Sequence, residues 1–168
     1  MALKCWLVVV WKKRYKMTRK LKKIALVFFL MFVAIQFYQP KQNVSSSFDI
    51  GKNFANNYKV PLKVLNSLQK ACYDCHSNTT KYLWYDYIQP AWLFVESHIK
   101  NGKEELNFNE FATYSNRKQQ SKLEAISREI KSGTMPLSSY TQLHQDAILD
   151  ETQKQEIISW IEQTINKE

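Results

Sequence analysis

An all-helical domain behind one N-terminal membrane helix is the architecture the sequence predicts, and three observations carry that expectation. Apolar residues recur at spacings of three and four in several segments after residue 60, and no stretch sustains the alternation of a half-buried strand. The one long uncharged run, Ile24 to Tyr38, lies near the start behind a basic cluster. A chain of 168 residues holds one domain plus an extension, too little for two full cores.

The formal charge of +9 is concentrated at one end. Nine basic residues (Lys4, Lys12, Lys13, Arg14, Lys16, Arg19, Lys20, Lys22 and Lys23) precede Ile24 with no acid among them, whereas residues 41–168 carry 15 basic and 15 acidic side chains. A nucleic-acid partner therefore loses its support, because the part that would fold is formally neutral. Residues 1–20 read as a basic cytoplasmic N-terminus. From Ile24 to Tyr38 there are 15 residues, short of the ~20 that cross a hydrocarbon core. Leu21 and the stems of Lys22 and Lys23 extend the run at one end, and Phe37 and Tyr38 suit the interface at the other, which gives an expected anchor over 21–39. Positive charge on the N-terminal side places everything after Pro40 on the outer, periplasmic face of the inner membrane. With no small-x-small site evident between Val33 and Ser47, an uncleaved single-pass anchor is favoured over a cleaved signal peptide. The segment MTRKLKKIALVFF from Met17 reads as a complete beginning of an exported protein, so residues 1–16 read as an over-extended reading frame and Cys5 falls outside the mature chemistry.

Residues 40–59 are polar and rich in Ser and Asn, which predicts a tether, and the domain proper is expected over 60–168. Pro61 suits a first helical turn, and Val60, Val64, Leu65 and Leu68 make one apolar face running into Cys72. After an aromatic loop with Tyr82, Trp84, Tyr85 and Tyr87, Pro90 opens a second helix that Gly102 is expected to close. A third segment begins near Asn107, where Glu110 three residues on resembles a capping box, and Gly133 ends it. The last helix has Asp150 as cap, Gln153 as its answering residue, and a stripe of Ile157, Ile158, Ile161 and Ile165.

The stretch CYDCH, Cys72 to His76, admits three chemistries: a zinc ligand set, a thiol redox pair, or the attachment site of a c-type haem. A redox pair belongs at a helix N-terminus after a strand, and here a helix precedes it. Structural zinc needs four ligands, and the histidines outside the motif, His98 and His144, are unpaired and distant from each other in sequence. Haem asks for two thiols three apart and an imidazole directly after, which these five residues supply, and export places them where such haem is attached. Two residues compete for the distal iron position. Met135 precedes Pro136 and follows Gly133, so it lies in an irregular loop where its thioether can point inward. His144 is chemically sound as a second imidazole, and equally suits a hydrogen-bonded supporting role. His98, near the expected end of the second helix, reads as structural.

These pieces together resemble class I cytochromes c, and more closely the haem-binding domain family. The shared segments are CYDCHSN (Cys72–Asn78), the aromatic stretch Trp84–Pro90, LNFNE (Leu106–Glu110) and the MP...Y..LH..A.L pattern from Met135 to Leu149. The chain departs from the family pattern at Leu83, where Pro is expected, and at Phe111, where Trp is common. The resemblance implies a cytochrome c-like helical fold and one covalent haem c, bound through Cys72, Cys75 and His76 with a Met-Pro loop as distal side. The leading expectation is a membrane-anchored monohaem cytochrome passing electrons to redox protein partners that the sequence does not name. Two alternatives stand beside it. One is an open iron site with peroxidase-like or gas-sensing activity, and the other is a zinc-stabilised interaction module using Cys72, Cys75 and His98 or His144.

Overall fold

The computed structural model describes residues 2–45 and 53–166, and among them the chain is helical, with a single isolated bridge between Val44 and Thr79. The helices are α1 (Ala2–Ile35), α2 (Phe54–Asn57), α3 (Leu62–Ala71), α4 (Tyr73–His76), α5 (Ala91–Glu105), α6 (Asn116–Ser132), α7 (Ser138–Thr141) and α8 (Glu151–Ile165). Short 3₁₀ turns at Trp84–Tyr87, Phe111–Thr113 and Gln145–Ala147 connect them. The chain divides into two compact units: residues 1–40 with 84–93, and residues 41–83 with 94–168.

In the first unit, α1 does not provide the span expected over 21–39. The helix stops at Ile35, Gln36 and Phe37 form a turn, and no helix among the described residues is long and apolar enough to cross a membrane. Arg19, Lys20, Lys22 and Lys23 lie inside α1 and leave only 12 uncharged residues, Ile24 to Ile35. At 1.5 Å per residue these reach about 18 Å, against the ~30 Å of a hydrocarbon core.

The second unit is built around α3, α6 and α8, with α8 packed on both of the others. Of the apolar faces read from the sequence, Val64 and Leu68 of α3 and Ile157, Ile158 and Ile161 of α8 are buried, and Leu123 and Ile130 of α6 join them in the core. Ile165 packs at the margin of the same core. Asp150 caps α8 through a capping box, its side chain accepting from Gln153 N (2.8 Å) while Gln153 Oε1 accepts from Asp150 N (2.9 Å). Gly133 ends α6 at φ +71°, a conformation that glycine adopts without the Cβ penalty.

Three expectations are corrected. The tether over 40–59 is engaged at both described ends: Ser45 N donates to the Asn78 carbonyl (3.0 Å), and Thr80 N donates to the Asn43 carbonyl (2.9 Å). Phe54 sits fully buried, its ring 5.1 Å from Phe108, 4.9 Å from Phe111 and 5.6 Å from Trp160, so the domain begins before residue 60. Residues 46–52 of the expected tether lie outside the described residues. Gly102 does not close the second helix, because α5 continues to Glu105. Nor do Asn107 and Glu110 form a capping box. Asn107 instead accepts from Asn109 N (3.0 Å) and donates to Asn78 (2.8 Å), Glu110 accepts from Asn78 Nδ2 (3.1 Å), and α6 starts later with Ser115 as its N-cap.

Candidate functional site

The motif CYDCH is one tight turn continuing α3. Cys75 N (3.2 Å) and His76 N (3.0 Å) both donate to the Cys72 carbonyl, so Cys72, Cys75 and His76 stand at i, i+3 and i+4 and share a face. Behind that face, Tyr73 stacks on Phe108 with ring centroids 4.7 Å apart and planes at 7°, and Phe108 N donates to the His76 carbonyl (2.8 Å). The turn is thereby fastened to the core on its far side.

Helix α5 passes directly over the turn at Gly102. A Cβ on this residue would stand 2.8 Å from the Cys75 carbonyl oxygen, closer than real Cβ contacts, so only glycine permits the approach. That close seating brings the end of α5 to the imidazole: His76 Nδ1 lies 3.1 Å from the Leu106 carbonyl oxygen. A carbonyl can only accept, so Nδ1 carries the proton and Nε2 keeps its lone pair for a metal. Burial holds the His76 pKa below the ordinary imidazole value, outweighing the opposite pull of the Leu106 and Gly102 carbonyls. Neutral imidazole is the ligating form. Burial also pushes both thiols up, Cys72 to about 12 and Cys75 to about 11, with neighbouring negative charge adding to each. Both cysteines are unpaired thiols.

Cys72, Cys75 and His76 line a cavity of about 300 Å³, at the lower end of the size of cofactor sites. Met135, Pro136, Leu137 and Tyr140 contribute another part of the lining, and His98, Asn101 and Glu105 of α5 another. Two larger clefts, of about 730 and 560 Å³, contain neither cysteine nor histidine in their linings.

The segment carrying Met135 is tied to the motif by one bond across the site. Tyr140 Oη donates to Asp74 Oδ2 (2.8 Å), and Asp74, the second of the two residues between the cysteines, accepts from Lys81 N through its other oxygen (3.1 Å). Burial first, then the Asp74 charge, drive the Tyr140 phenol well above its usual pKa, so it stays a donor. His144 is not among the residues lining the cavity. Its ring stacks on Tyr140 with centroids 4.0 Å apart and planes at 15°, and its Nδ1 lies 3.1 Å from the Tyr140 carbonyl oxygen.

His98, read from the sequence as a residue at a helix end, instead lies within α5 and reaches the cavity, its Nδ1 2.9 Å from the Phe94 carbonyl oxygen. The misreading follows from placing the end of α5 at Gly102. The zinc alternative is not assembled, because among the described residues no three His, Cys, Asp or Glu side chains are grouped to hold a metal ion. What the site offers a porphyrin is a different donor set: two neighbouring thiols and a neutral, oriented imidazole on one turn, facing a lining of Ala71, Met135, Pro136 and Leu137. These residues fit haem.

Residues 30–163 match the model of the haem-binding domain family. The chain belongs to the haem-binding domain family. Haem is thus its cofactor, and the matched span begins ahead of the expected domain start at residue 60. No curated protein and no solved structure matches the chain.

Proposed function

We propose that this haem-binding protein is a membrane-attached monohaem c-type cytochrome that carries electrons on the outer face of the cytoplasmic membrane. The observation that supports it most is that Cys72, Cys75, His76 and Met135 all line one largely apolar cavity. The bound haem would supply a one-electron couple at its iron. Cys72 and Cys75 would hold the porphyrin as thioethers, and His76 Nε2 and the Met135 thioether would ligate the iron. The Leu106 carbonyl keeps the His76 ring in its ligating tautomer and orientation. A thioether needs no deprotonation and raises the reduction potential relative to a second imidazole, which suits a carrier that keeps one ligand set across pH. The Tyr140–Asp74 bond holds the Met135 segment against the motif.

Attachment is read from the exposed apolar residues of α1 that follow Arg19, Lys20, Lys22 and Lys23. The basic residues ahead of that stretch suit anionic headgroups, and the haem domain is assigned to the outer face, where c-type haem is attached and its electron donor and acceptor would meet it. The ligand assignment is tested by absorption spectra of variants produced with the haem-attachment machinery. Met135→Ala is expected to convert the ferric iron to high spin or to a replacement ligand, while His144→Ala and His98→Ala leave the spectrum intact. If His144→Ala or His98→Ala is the change that opens the iron, the protein is a bis-histidine cytochrome.

A further inference from the structure

We propose that Trp84–Leu93 is a second membrane-contacting segment, clasped to the end of α1 and seated with it in the lipid interface. The inference rests on the membrane attachment proposed above and adds a part of the chain that hydropathy does not single out. It starts from the way α1 ends. A helix terminus in water can leave its last four carbonyls to solvent, whereas in a bilayer nothing replaces a missing partner. Here all four are satisfied within the chain: Gln36 Nε2 donates to Phe32 O (3.0 Å), Gln36 N to Val33 O (3.2 Å), Phe37 N to Ala34 O (3.2 Å) and Tyr38 N to Ile35 O (3.1 Å).

The same glutamine joins α1 to a segment some fifty residues later. Gln89 N donates to Gln36 Oε1 (2.9 Å), Gln36 Nε2 reaches the Gln89 carbonyl (3.3 Å), and Gln89 Nε2 donates to the Tyr38 carbonyl (2.7 Å). Gln89 is only 1% exposed, so this clasp is shielded, and such amide bonds gain strength in an apolar surrounding. Apart from Gln39, what the clasp presents outward is apolar or aromatic. Trp84 is 75% exposed, and Phe37, Tyr38, Tyr87, Ile88 and Leu93 are also exposed. The only charged residue among 84–93, Asp86, is turned inward at 4% exposure, and residues 24–40 contain none.

Lipid is the occupant this surface fits. The apolar stretch of α1 is bracketed by Arg19, Lys20, Lys22 and Lys23 at one end and by Trp and Tyr at the other, an arrangement matched to anionic headgroups and to the aromatic belt of an interface. A stretch of about 18 Å leaves much of the ~30 Å core unspanned, and the docked segment enlarges the apolar body at that end.

The test uses the full-length haem-loaded protein with vesicles of phosphatidylcholine and phosphatidylglycerol, whose acyl chains are either brominated or plain. Flotation reports attachment, and the loss of tryptophan emission in brominated relative to plain vesicles reports lipid contact. The parent is expected to float and to show a quenched component that disappears in Trp84→Phe. Gln89→Ala, which opens the clasp, is expected to float and to lose that same component. If the parent floats and Trp84→Phe leaves the quenched fraction unchanged, the second contact is wrong and the anchor stands. If the parent does not float, the attachment itself fails and this inference falls with it.

Discussion

Replacing Gly102 by alanine sets two effects of opposite sign against each other. Inside an exposed helix the change gains about 1 kcal/mol, because glycine loses more backbone freedom on folding. At this position the new Cβ would stand 2.8 Å from the Cys75 carbonyl oxygen and 3.3 Å from two further Cys75 atoms. The oxygen belongs to the backbone of the CYDCH turn and cannot swing aside, so α5 has to lift. Overpacking of this kind costs about 1–3 kcal/mol, and lifting α5 strains the Leu106 bond to His76, worth about 1 kcal/mol more. Set against the helix gain, the net expectation is a loss of about 1–3 kcal/mol. Urea unfolding of the haem-loaded protein followed by circular dichroism measures it, with the absorption spectrum recorded on the same samples. Gly133→Ala is the control: with φ at +71° and nothing within 4 Å of a Cβ, it should lose about 1–2 kcal/mol from backbone strain alone and leave the spectrum untouched. A Gly102→Ala protein about 1 kcal/mol more stable than its parent, with an unaltered spectrum, would refute the seating of α5 on the motif.

Other perturbations reach other contacts of the site and the core. Tyr140→Phe removes the 2.8 Å bond to the Asp74 carboxylate and should cost about 1.5 kcal/mol in urea unfolding. It should also ease displacement of the distal ligand by added imidazole, and an unchanged titration would show that the bond does not hold the Met135 segment. Phe54→Ala should cost about 3–5 kcal/mol by leaving a cavity among Phe108, Phe111 and Trp160, and a chain begun at residue 60 should not fold. Before haem is attached, the thiols are held above their ordinary 9.0, at about 12 for Cys72 and about 11 for Cys75. The folded chain keeps protons that the unfolded chain releases, so their contribution is complete below about pH 9 and is lost as pH rises through 11 to 12. Melting temperatures of haem-free protein between pH 8 and 11 check this, and a flat profile would contradict the buried placement of the thiols.

Where a signal is local, the sequence discloses the structure. Asp150 and Gln153 announce the start of α8 because a capping box is complete within four residues, and Gly133 announces the end of α6 because a positive φ favours glycine. The turn at Cys72–His76 is legible for the same reason, its spacing placing three donors on one face. Gly102 misleads, since a glycine demanded by another element's backbone looks identical to one that ends a helix. Phe54 is hidden by polar neighbours, Asn53, Asn56 and Asn57, so composition reads as tether what four aromatic rings enclose. The apolar run near the N-terminus reads as a span because hydropathy registers the uncharged residues through Pro40, while the helix itself stops at Ile35. Likewise, Gln89 gives no local sign that its partners are Gln36 and Tyr38.

Covalent attachment of the haem through Cys72 and Cys75 is tested most directly by acid-acetone extraction of the haem-loaded protein. The haem is predicted to stay with the precipitated polypeptide, and Cys72→Ala or Cys75→Ala to lower the yield of haem-loaded protein sharply. Haem passing wholly into the organic phase from the unmodified protein would contradict the assignment and leave a non-covalent haem site in its place.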